Sequence, residues 1–485
     1  MNDVNSGVPF LGFRHLQSFL LFLCIFTGYL LRVNLTVAIV AMSPLVNSTD
    51  YTRSKTYHIP IFDWSSKTRS TLLGSFFMGY LLGNFPASVL GCYYNNKMLL
   101  AGSTAVTAAL AAVTPITLLT FGTPAMAAVR FAQGLSQSFL FPMCHGIMAR
   151  WSPPNERGRL VGFVMSGIQC GTMVTLAGSG LLASSPVGWP SIFYVTGAVG
   201  LVWTVLWLVL GAESPQSGHQ FLGQAEAHYI NDQLKDVVSK RIQNDKTPWR
   251  CIFTSKPVWA LALAHSGYNW GFWLLLTQMP TYLNTVLGLD IKKDGMLSAL
   301  PYLTTFLLQF PVCYVADFLN SRECTTLTTS RKMWNTVSMW GGAAGLVTLG
   351  YLNDTTEMAI VFYVFVVAIG CTGSVGFKVN HMDLASNYAG LLMGISNAMA
   401  SIGGLTAPTL VGFVVHDLTS VVEWRIVFFI GATVMFVCNL VFILYGSAVT
   451  QQWNNWDNIK TNIEQKNNVK FSAGSAEKDI ELSSK

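Results

Sequence analysis

Charged residues are scarce in this sequence. Asp, Glu, Lys and Arg make up only 11% of its 485 residues, against about 25% in an ordinary soluble domain. The chain is instead 51% hydrophobic, with a mean hydropathy of +0.44. This balance excludes an intrinsically disordered chain and indicates an all-α protein that crosses a membrane many times.

Four further absences exclude classes of partner, cofactor and processing. The net charge of +6 is spread along the chain without a basic patch among aromatics, so nucleic acid is not an expected partner. The nine cysteines lack the spacing of a metal site, and we expect no metal and no other cofactor. No cysteine falls in a predicted outer loop, so external disulfides are not expected. The N-terminus lacks a small-residue cleavage site, so the first apolar run is not a removed signal peptide.

A membrane-spanning helix needs roughly 20 consecutive apolar residues, and twelve stretches of the sequence meet that requirement. The first six are Leu16–Met42, Thr68–Leu90, Met98–Thr120, Ala125–Met148, Leu160–Leu182 and Pro190–Gly211. The second six are Pro257–Leu283, Met296–Phe318, Lys332–Leu352, Met358–Phe377, Ala389–Val415 and Trp424–Gly446.

The distribution of basic residues predicts the orientation of these spans. With both termini in the cytoplasm, most of the 29 Lys and Arg residues lie on the cytoplasmic side, as the positive-inside rule requires. The outer loop after the first span then contains Asn47 in the tripeptide "NST", which is a candidate glycosylation acceptor.

The chain divides into two halves of six spans. We predict a cytoplasmic N-terminus at 1–15, a six-helix bundle at 16–211, a cytoplasmic linker at 212–256, a second bundle at 257–446 and a cytoplasmic tail at 447–485. The segments Asn84–Lys97 and Gln309–Arg322 share a Phe-Pro pair and occupy the same loop of each half. This internal repeat predicts a transporter whose substrate binds near the bilayer midplane between the halves.

Two arginines, Arg32 and Arg130, fall inside predicted spans. No Asp or Glu occurs in the central part of any predicted span. A charge within the bilayer costs several kcal/mol and therefore normally faces a wet cavity and has a partner. The sequence thus predicts a positive cavity whose counter-charge is the substrate, because arginine suits carboxylate or phosphate. The alternative is that each arginine snorkels or bonds backbone carbonyls and only fixes helix packing.

Four strings carry a family resemblance. They are "GSFFMGYLLGNFP", "RFAQGLSQSFLFPMCHGIMARWSPPNERGRL", "HSGYNWGFWLLLTQMPTYL" and "GFKVNHMDLASNYAGLLMGISNAMASIGG". The chain resembles the anion-transporting branch of the major facilitator superfamily over nearly its whole length. That branch includes sialin, the vesicular glutamate transporters and the type I sodium-phosphate cotransporters, and the overall character is that of the invertebrate inorganic phosphate cotransporters. The resemblance implies the major facilitator fold.

The resemblance also implies roles for particular residues. Arg32 and Arg130 match the first-helix and fourth-helix arginines implicated in anion binding, and Tyr80 and Trp273 match aromatic groups that line the cavity. Gln137 stands where sialin and the glutamate transporters have a glutamate linked to proton coupling, and Tyr268 replaces an arginine of the glutamate transporters. Polar Tyr268, Asn269 and Asn397 are further candidates for the cavity, although polar groups also join membrane helices.

Other titratable residues are candidates for coupling and gating. His145 and His265 could carry protons, with a structural hydrogen bond as the alternative for each. The loop "RWSPPNERGR" presents Arg150, Glu156, Arg157 and Arg159 at the inner surface. We predict a charge latch between the halves there, with topogenic positive charge as the alternative. Asp317 with Arg322 is the candidate for the same role in the second half.

We therefore expect a secondary active or facilitative anion transporter that works by alternating access, not an enzyme. Its substrate is inorganic phosphate or a small organic anion, with Na⁺ or H⁺ as candidate co-transported ions. The alternatives are a proton-coupled sialin-like symporter and a non-transporting membrane homologue. We expect a multi-pass monomer in the lipid bilayer, in the plasma membrane rather than in a lysosome or vesicle. The sequence leaves open which anion is carried, its direction and the coupling ion.

Overall fold

The computed structural model describes ten stretches of the chain. They are residues 12–42, 61–64, 66–183, 185–217, 220–234, 247–287, 291–322, 324–352, 356–417 and 419–455. Within these stretches the regular secondary structure is entirely helical, and the prediction of an all-α protein is confirmed. The candidate glycosylation acceptor Asn47 and most of the predicted tail lie outside the described residues.

The first half of the chain forms seven α-helices. They are α1 (Phe13–Ala41), α2 (Ser66–Tyr93), α3 (Asn96–Gln137), α4 (Leu140–Trp151), α5 (Arg157–Met165), α6 (Gly167–Ala183) and α7 (Pro190–Leu210). A 3₁₀ turn, Pro154–Glu156, joins α4 to α5. The linker contributes two short helices, α8 (Gln224–Leu234) and α9 (Trp249–Thr254).

The second half repeats this arrangement. Its helices are α10 (Lys256–Thr285), α11 (Ile291–Ser321), α12 (Leu327–Leu349), α13 (Thr356–Ile369), α14 (Phe377–Leu384), α15 (Ala389–Val414) and α16 (Val421–Tyr445). Every one of the twelve predicted spans therefore corresponds to one helix or to two helices in succession. Further 3₁₀ turns lie at Pro215–Ser217, Gly370–Ser374, Ser386–Tyr388 and Gln452–Asn455.

Nine helical runs among the described residues are long and apolar enough to cross a membrane. One of these runs, Asn96–Trp151, contains both the third and the fourth predicted spans. The seventh and ninth predicted spans, α10 and α12, are not among the nine. Their sequences carry polar residues that the fold turns inward, including His265 on α10 and Asn335 on α12, both buried.

Two spans are interrupted at corresponding places in the two halves. The fourth span breaks between α3 and α4, at Ser138 and Phe139. The tenth span breaks between α13 and α14, where a 3₁₀ turn, Gly370–Ser374, replaces the α-helix. In transporters with repeated halves, such discontinuous helices mark the binding site, and the polar residues that follow both breaks face the centre of the molecule.

Glycines allow helices of the first half to pack backbone against backbone. A Cβ on Gly134 of α3 would collide with the Phe76 carbonyl oxygen of α2, and a Cβ on Gly79 of α2 would collide with the Phe131 carbonyl oxygen of α3. Gly134 lies one helical turn from Arg130, and α2, which carries Tyr80, occupies the space beside it.

Each half is built around its own hydrophobic core. One cluster of buried side chains lies within residues 252–453, and the main cluster of the first half lies mostly within residues 13–234. The first-half cluster also includes second-half residues, all on α14 and α15: Val379, Met382, Ala389 and Met393. The two halves thus pack together on one side, near the end of the bundle from which the linker leaves. We call this the linker end.

Candidate functional site

A cavity lies between the two halves, next to the broken fourth and tenth spans. It encloses about 670 Å³ of space free of protein atoms, part of it open to solvent. Its lining residues come from both halves and include no Asp or Glu among the described residues: Tyr29, Arg32, Phe77, Tyr80, Phe141, His145, Met165, Ile168, Gln169, His265, Tyr268, Asn269, Phe272, Trp273, Lys378, Met393, Asn397 and Ser401.

Arg32 of α1 supplies a positive charge on the first-half wall. Its side chain is 6% exposed, and its guanidinium carbon lies 4.2 Å from the ring centroid of Tyr80 and 5.1 Å from that of Tyr29. These cation–π contacts hold the planar guanidinium between aromatic faces. Its Nη2 has no hydrogen-bond partner, and no acid pairs with Arg32 among the described residues.

Gln137 fixes the orientation of Arg32. Arg32 Nε donates to Gln137 Oε1 at 2.8 Å, and Gln137 Nε2 donates to the Gly28 carbonyl oxygen at 2.7 Å. Gln137 itself does not line the cavity. A neutral amide in this position satisfies one guanidinium nitrogen without cancelling the charge of Arg32.

Arg130 lies behind Arg32 and does not line the cavity, contrary to the prediction that both arginines face it. Its Nη1 donates to Gln133 Oε1 at 2.8 Å and to Asn34 Oδ1 at 3.3 Å. Its Nη2 donates to the backbone carbonyl oxygen of Arg32 at 3.2 Å. Its side-chain contacts with α1 therefore hold the backbone that carries Arg32, which corresponds to the packing alternative for Arg130.

Lys378 supplies a second cavity cation, on the second-half wall. It is the second residue of α14, is 9% exposed, and has its Nζ 4.8 Å from the ring centroid of Tyr268. No acid pairs with it among the described residues. The predicted tenth span ended one residue earlier, at Phe377, so Lys378 was assigned to an inner loop. The span breaks at the run "GCTGS", Gly370–Ser374, which is separated from Lys378 by three residues and is also compatible with a continuous membrane helix.

Aromatic and amide groups form most of the remaining lining. Tyr80, Tyr268 and Trp273, three of the residues proposed from the sequence, line the cavity. The rings of Phe77 and Trp273 meet edge to face, with centroids 4.9 Å apart, and join the two halves above Tyr80. Asn397 also reaches the cavity, but its Nδ2 donates to Tyr80 Oη at 2.6 Å and to Asn84 Oδ1 at 2.8 Å. Asn397 thus links the halves as well as lining the cavity.

Three buried histidines meet on the linker side of the cavity. His145 of α4 and His265 of α10 line it directly. The ring of His381 of α14 lies between them, with centroids 5.5 Å from His145 and 5.9 Å from His265. His381 had not been predicted as a site residue. It belongs to the same buried segment after the tenth-span break as Lys378.

Ion pairs between the halves close the linker end. Asp383 of α14 accepts from Arg157 Nη1 at 3.1 Å and from Arg331 Nε at 2.8 Å, and all three side chains are buried. Asp317 of α11 accepts from the backbone N–H of Arg159 at 2.7 Å, and its carboxylate lies 3.5 Å from Arg159 Nε. Arg157 and Arg159 thus contact the opposite half, as a latch requires.

The other latch candidates have partners elsewhere. Glu156 accepts from Arg14 Nε at 3.0 Å, and Arg14 also pairs with Glu226 of the linker helix α8. Arg150 pairs with Glu213 at the start of the linker. Asp317 has Arg159 as its partner, whereas Arg322 lies over the ring of Phe318. The contacts of Glu156 and Arg150 hold α1 and the linker against the rest of the first half.

The arrangement is that of a carrier: a central cavity between two similar six-helix halves, with an ion-paired closure at one end. The sequence profile described as "Major Facilitator Superfamily" matches residues 21–390. The chain belongs to the major facilitator superfamily. It is therefore a multi-pass membrane transporter and not an enzyme, and the family fold has the twelve membrane helices that were predicted.

Relatives within the superfamily carry anion-transporter names. The chain is 35% identical over 466 residues to a Drosophila melanogaster protein named "Putative inorganic phosphate cotransporter", covering 91% of this chain and 86% of that protein. It is 32% identical to human sialin, covering 91% and 90%. It is 34% identical to human vesicular glutamate transporter 2, covering 89% and 73%. These names agree with the branch that the sequence resembles.

Solved structures show the same fold at lower identity. The proton:xylose symporter XylE superposes with a TM-score of 0.65 at 16% identity, covering 91% of this chain and 99% of that one. A bacterial homologue of the iron transporter ferroportin, in an outward-facing state, superposes with a TM-score of 0.56 at 13% identity, covering 88% and 99%. At these identities the likeness establishes the fold alone.

Proposed function

We propose that this superfamily member carries small anions by alternating access, and that the anion binds between Arg32 and Lys378. The observation that carries the proposal is the charge of the cavity. Arg32 on the first half and Lys378 on the second both line it, and no acid faces either among the described residues. A cavity with two unneutralised cations favours an anion on electrostatic grounds, and each half contributes one of the two charges.

The side chains of the cavity wall favour some candidate anions over others. Arginine presents several N–H donors in a plane and suits carboxylate or phosphate, whereas lysine acts as a point charge. Aromatic rings of both halves form a large part of the remaining wall, so an anion with an apolar or sugar-like body buries more surface than inorganic phosphate does. We therefore favour organic anions such as carboxylates, with inorganic phosphate as the second candidate.

The coupling ion is a separate part of the proposal. Gln137 occupies the position of the family's proton-linked glutamate and cannot ionise, so we propose that no proton moves through this position. Without a coupled cation, a cytosol-negative potential drives a monovalent anion outward with about 2.3 kcal/mol per 100 mV. Uptake therefore requires Na⁺ or H⁺ bound elsewhere. We further propose a monomer in the plasma membrane, with both termini and the linker end in the cytosol.

Uptake into liposomes that contain the purified protein tests the proposal. The panel of labelled anions is phosphate, urate, glucuronate, N-acetylneuraminate and glutamate, with glucose as a neutral control. We expect saturable uptake of at least one anion, and exchange against the same anion inside. Arg32→Gln and Lys378→Gln should each reduce uptake at low substrate by at least about tenfold, a loss of roughly 1.4 kcal/mol of binding.

Lys256→Gln is the matched control, because Lys256 lies at the start of α10 and outside the cavity, with its Nζ 5.9 Å from the Tyr445 ring centroid. It should transport as the wild type does. Uptake of glucose but of no anion would overturn the proposal. So would anion uptake that survives in both cavity variants. Binding without exchange or flux would favour the non-transporting alternative.

A further inference from the structure

The three histidines beside the cavity form a hydrogen-bonded group whose proton positions follow from their partners. His381 Nδ1 lies 3.1 Å from the Lys378 carbonyl oxygen, and His145 Nδ1 lies 3.0 Å from the Phe141 carbonyl oxygen. A carbonyl oxygen can only accept, so in both rings Nδ1 carries the proton. In the neutral rings, each Nε2 is then an acceptor.

Ser396 of α15 connects two of the rings. Its hydroxyl lies 2.8 Å from His381 Nε2 and 3.0 Å from His265 Nδ1. The hydroxyl has one proton and two acceptors within reach, His381 Nε2 and the Met393 carbonyl oxygen at 3.1 Å. The shorter contact assigns the proton to His381 Nε2, and the hydroxyl oxygen then accepts from His265 Nδ1–H. A directed chain runs from His265 through Ser396 and His381 to the Lys378 carbonyl oxygen.

This assignment leaves two bare acceptors at the cavity. His145 Nε2 is buried and has no hydrogen-bond partner. No partner is present for His265 Nε2 among the described residues either, and both rings line the cavity. A buried acceptor without a partner is costly in a structural role, and an imidazole nitrogen with a free lone pair can bind a proton.

We propose that His145 and His265 are the proton-binding groups of this carrier, with His381 as the positioning residue between them, and that a proton travels with each anion. This inference rests on the proposed anion transport. The proton binds to the lone pair of Nε2 from the solution on one side and leaves to the solution on the other, without oxidation or reduction. His145 belongs to the first half and His265 to the second, so reorientation of the halves moves the two acceptors relative to each other.

The charges around the cluster explain why the proton and the anion bind together. The groups that face it are Lys378 and His381 on α14, Arg32 and Tyr29 on α1, Tyr80 on α2 and Tyr268 on α10, while α15 contributes the non-titratable Ser396 and Asn397. Asp383, also on α14, is already paired with Arg157 and Arg331. Two cations oppose a third positive charge, and an anion between them removes that opposition. By linkage, the proton strengthens anion binding by the same factor.

A pH gradient across the liposome membrane tests the inference, with the voltage clamped at zero by potassium and valinomycin. The probe is each anion of the panel that the wild type takes up, with N-acetylneuraminate first because its carboxyl group stays ionised over the pH range. For one proton per monovalent anion, wild-type accumulation should rise by up to about tenfold per unit of pH difference, acid outside. His145→Gln and His265→Gln should lose this dependence.

Exchange of labelled against unlabelled anion is measured in parallel, because exchange needs no net proton movement. Both variants should keep exchange at saturating anion, which shows that they fold, but with a higher KM that no longer depends on pH, because the bound proton no longer strengthens anion binding. His228→Gln is the matched control, since the His228 side chain is 75% exposed on the linker helix α8. It should behave as the wild type does in both assays.

The possible results bear differently on the proposed anion transport and on the proposed proton site. Anion exchange without any effect of the pH gradient in the wild type overturns the proton site and leaves anion transport intact. An effect of the pH gradient that persists in both His145→Gln and His265→Gln also overturns the proton site and leaves anion transport intact. Loss of exchange in both variants also contradicts the inference, because it assigns the histidines to binding or folding. Failure of the wild type to carry any anion of the panel overturns both proposals.

Discussion

At the scale of single residues, the charge of the cavity depends on Gln137 being neutral. Its amide oxygen accepts from Arg32 at 2.8 Å, so Gln137→Glu would place a carboxylate on the guanidinium. The substituted acid would compete with the substrate for Arg32. We expect the KM for the carried anion at pH 7.5 to rise by at least about tenfold, or roughly 1.4 kcal/mol. The ratio of variant to wild-type KM should stay high at pH 5.5, because pairing with the guanidinium favours the ionised form of the new carboxyl group.

Gln137→Met is the control for this change, since it removes the hydrogen bonds without adding charge. It should raise the KM by less than Gln137→Glu does. Transport by Gln137→Glu with the wild-type KM at pH 7.5 would mean that Arg32 is not the charge partner of the anion, and the proposed binding mode would be wrong.

The sequence predicted the cavity cations only in part. Arg32 was predicted because an unpaired arginine near the middle of an apolar run has few structural roles. Arg130 has the same sequence signature, yet it donates to Gln133 on its own helix and to Asn34 and the Arg32 carbonyl oxygen on α1. The contacts with α1 cannot be read from the sequence of one helix. Lys378 was missed because a span boundary set by hydropathy ends at the first charge, even where the chain continues inside the protein.

At the scale of elements, breaks in the helices decide where polar groups face. The sharpest lies within α3 at Gly122, with φ 79° and ψ −171°, between the third and fourth predicted spans. This backbone region is open essentially to glycine alone. We expect Gly122→Ala to lower the free energy of unfolding by about 1–3 kcal/mol, seen as a lower Tm in detergent.

Gly102, earlier on α3, provides the comparison. A Cβ added there meets no atom within 4 Å, and its backbone is helical. Gly102→Ala should therefore leave Tm unchanged or raise it, since alanine favours a helix over glycine by up to about 1 kcal/mol. If Gly122→Ala and Gly102→Ala change Tm equally, a side chain does not strain the backbone at Gly122, and the prediction is wrong.

Element boundaries were predicted well where apolar runs end in turn signals and poorly where a span breaks internally. The first and last spans were predicted as Leu16–Met42 and Trp424–Gly446 and are helices at Phe13–Ala41 and Val421–Tyr445. The breaks in the fourth and tenth spans were not predicted, because Ser138 and the "GCTGS" run are compatible with a continuous membrane helix. Packing around the cavity selects the broken form.

At the scale of the whole molecule, the linker end is held shut by charge and by close packing. Asp383 and Asp317 each bind the opposite half. Nearby, Gly162 of α5 lies so close to Cys313 of α11 that a Cβ on it would be 3.3 Å from the Cys313 Cβ. Alternating access requires these contacts to separate once in every cycle, because the two helices belong to different halves.

Gly162→Cys tests that requirement with the native Cys313 as its partner. The separation of the two Cβ atoms is close to the 3.5–4.5 Å of a disulfide, so an oxidant should join the halves at the linker end. We expect anion uptake to fall to the level of protein-free liposomes after oxidation and to recover after reduction. The same variant in a Cys313→Ser background should be insensitive to the oxidant. Wild-type uptake by the cross-linked protein would show that the linker end stays closed throughout transport, and a carrier that opens there would be ruled out.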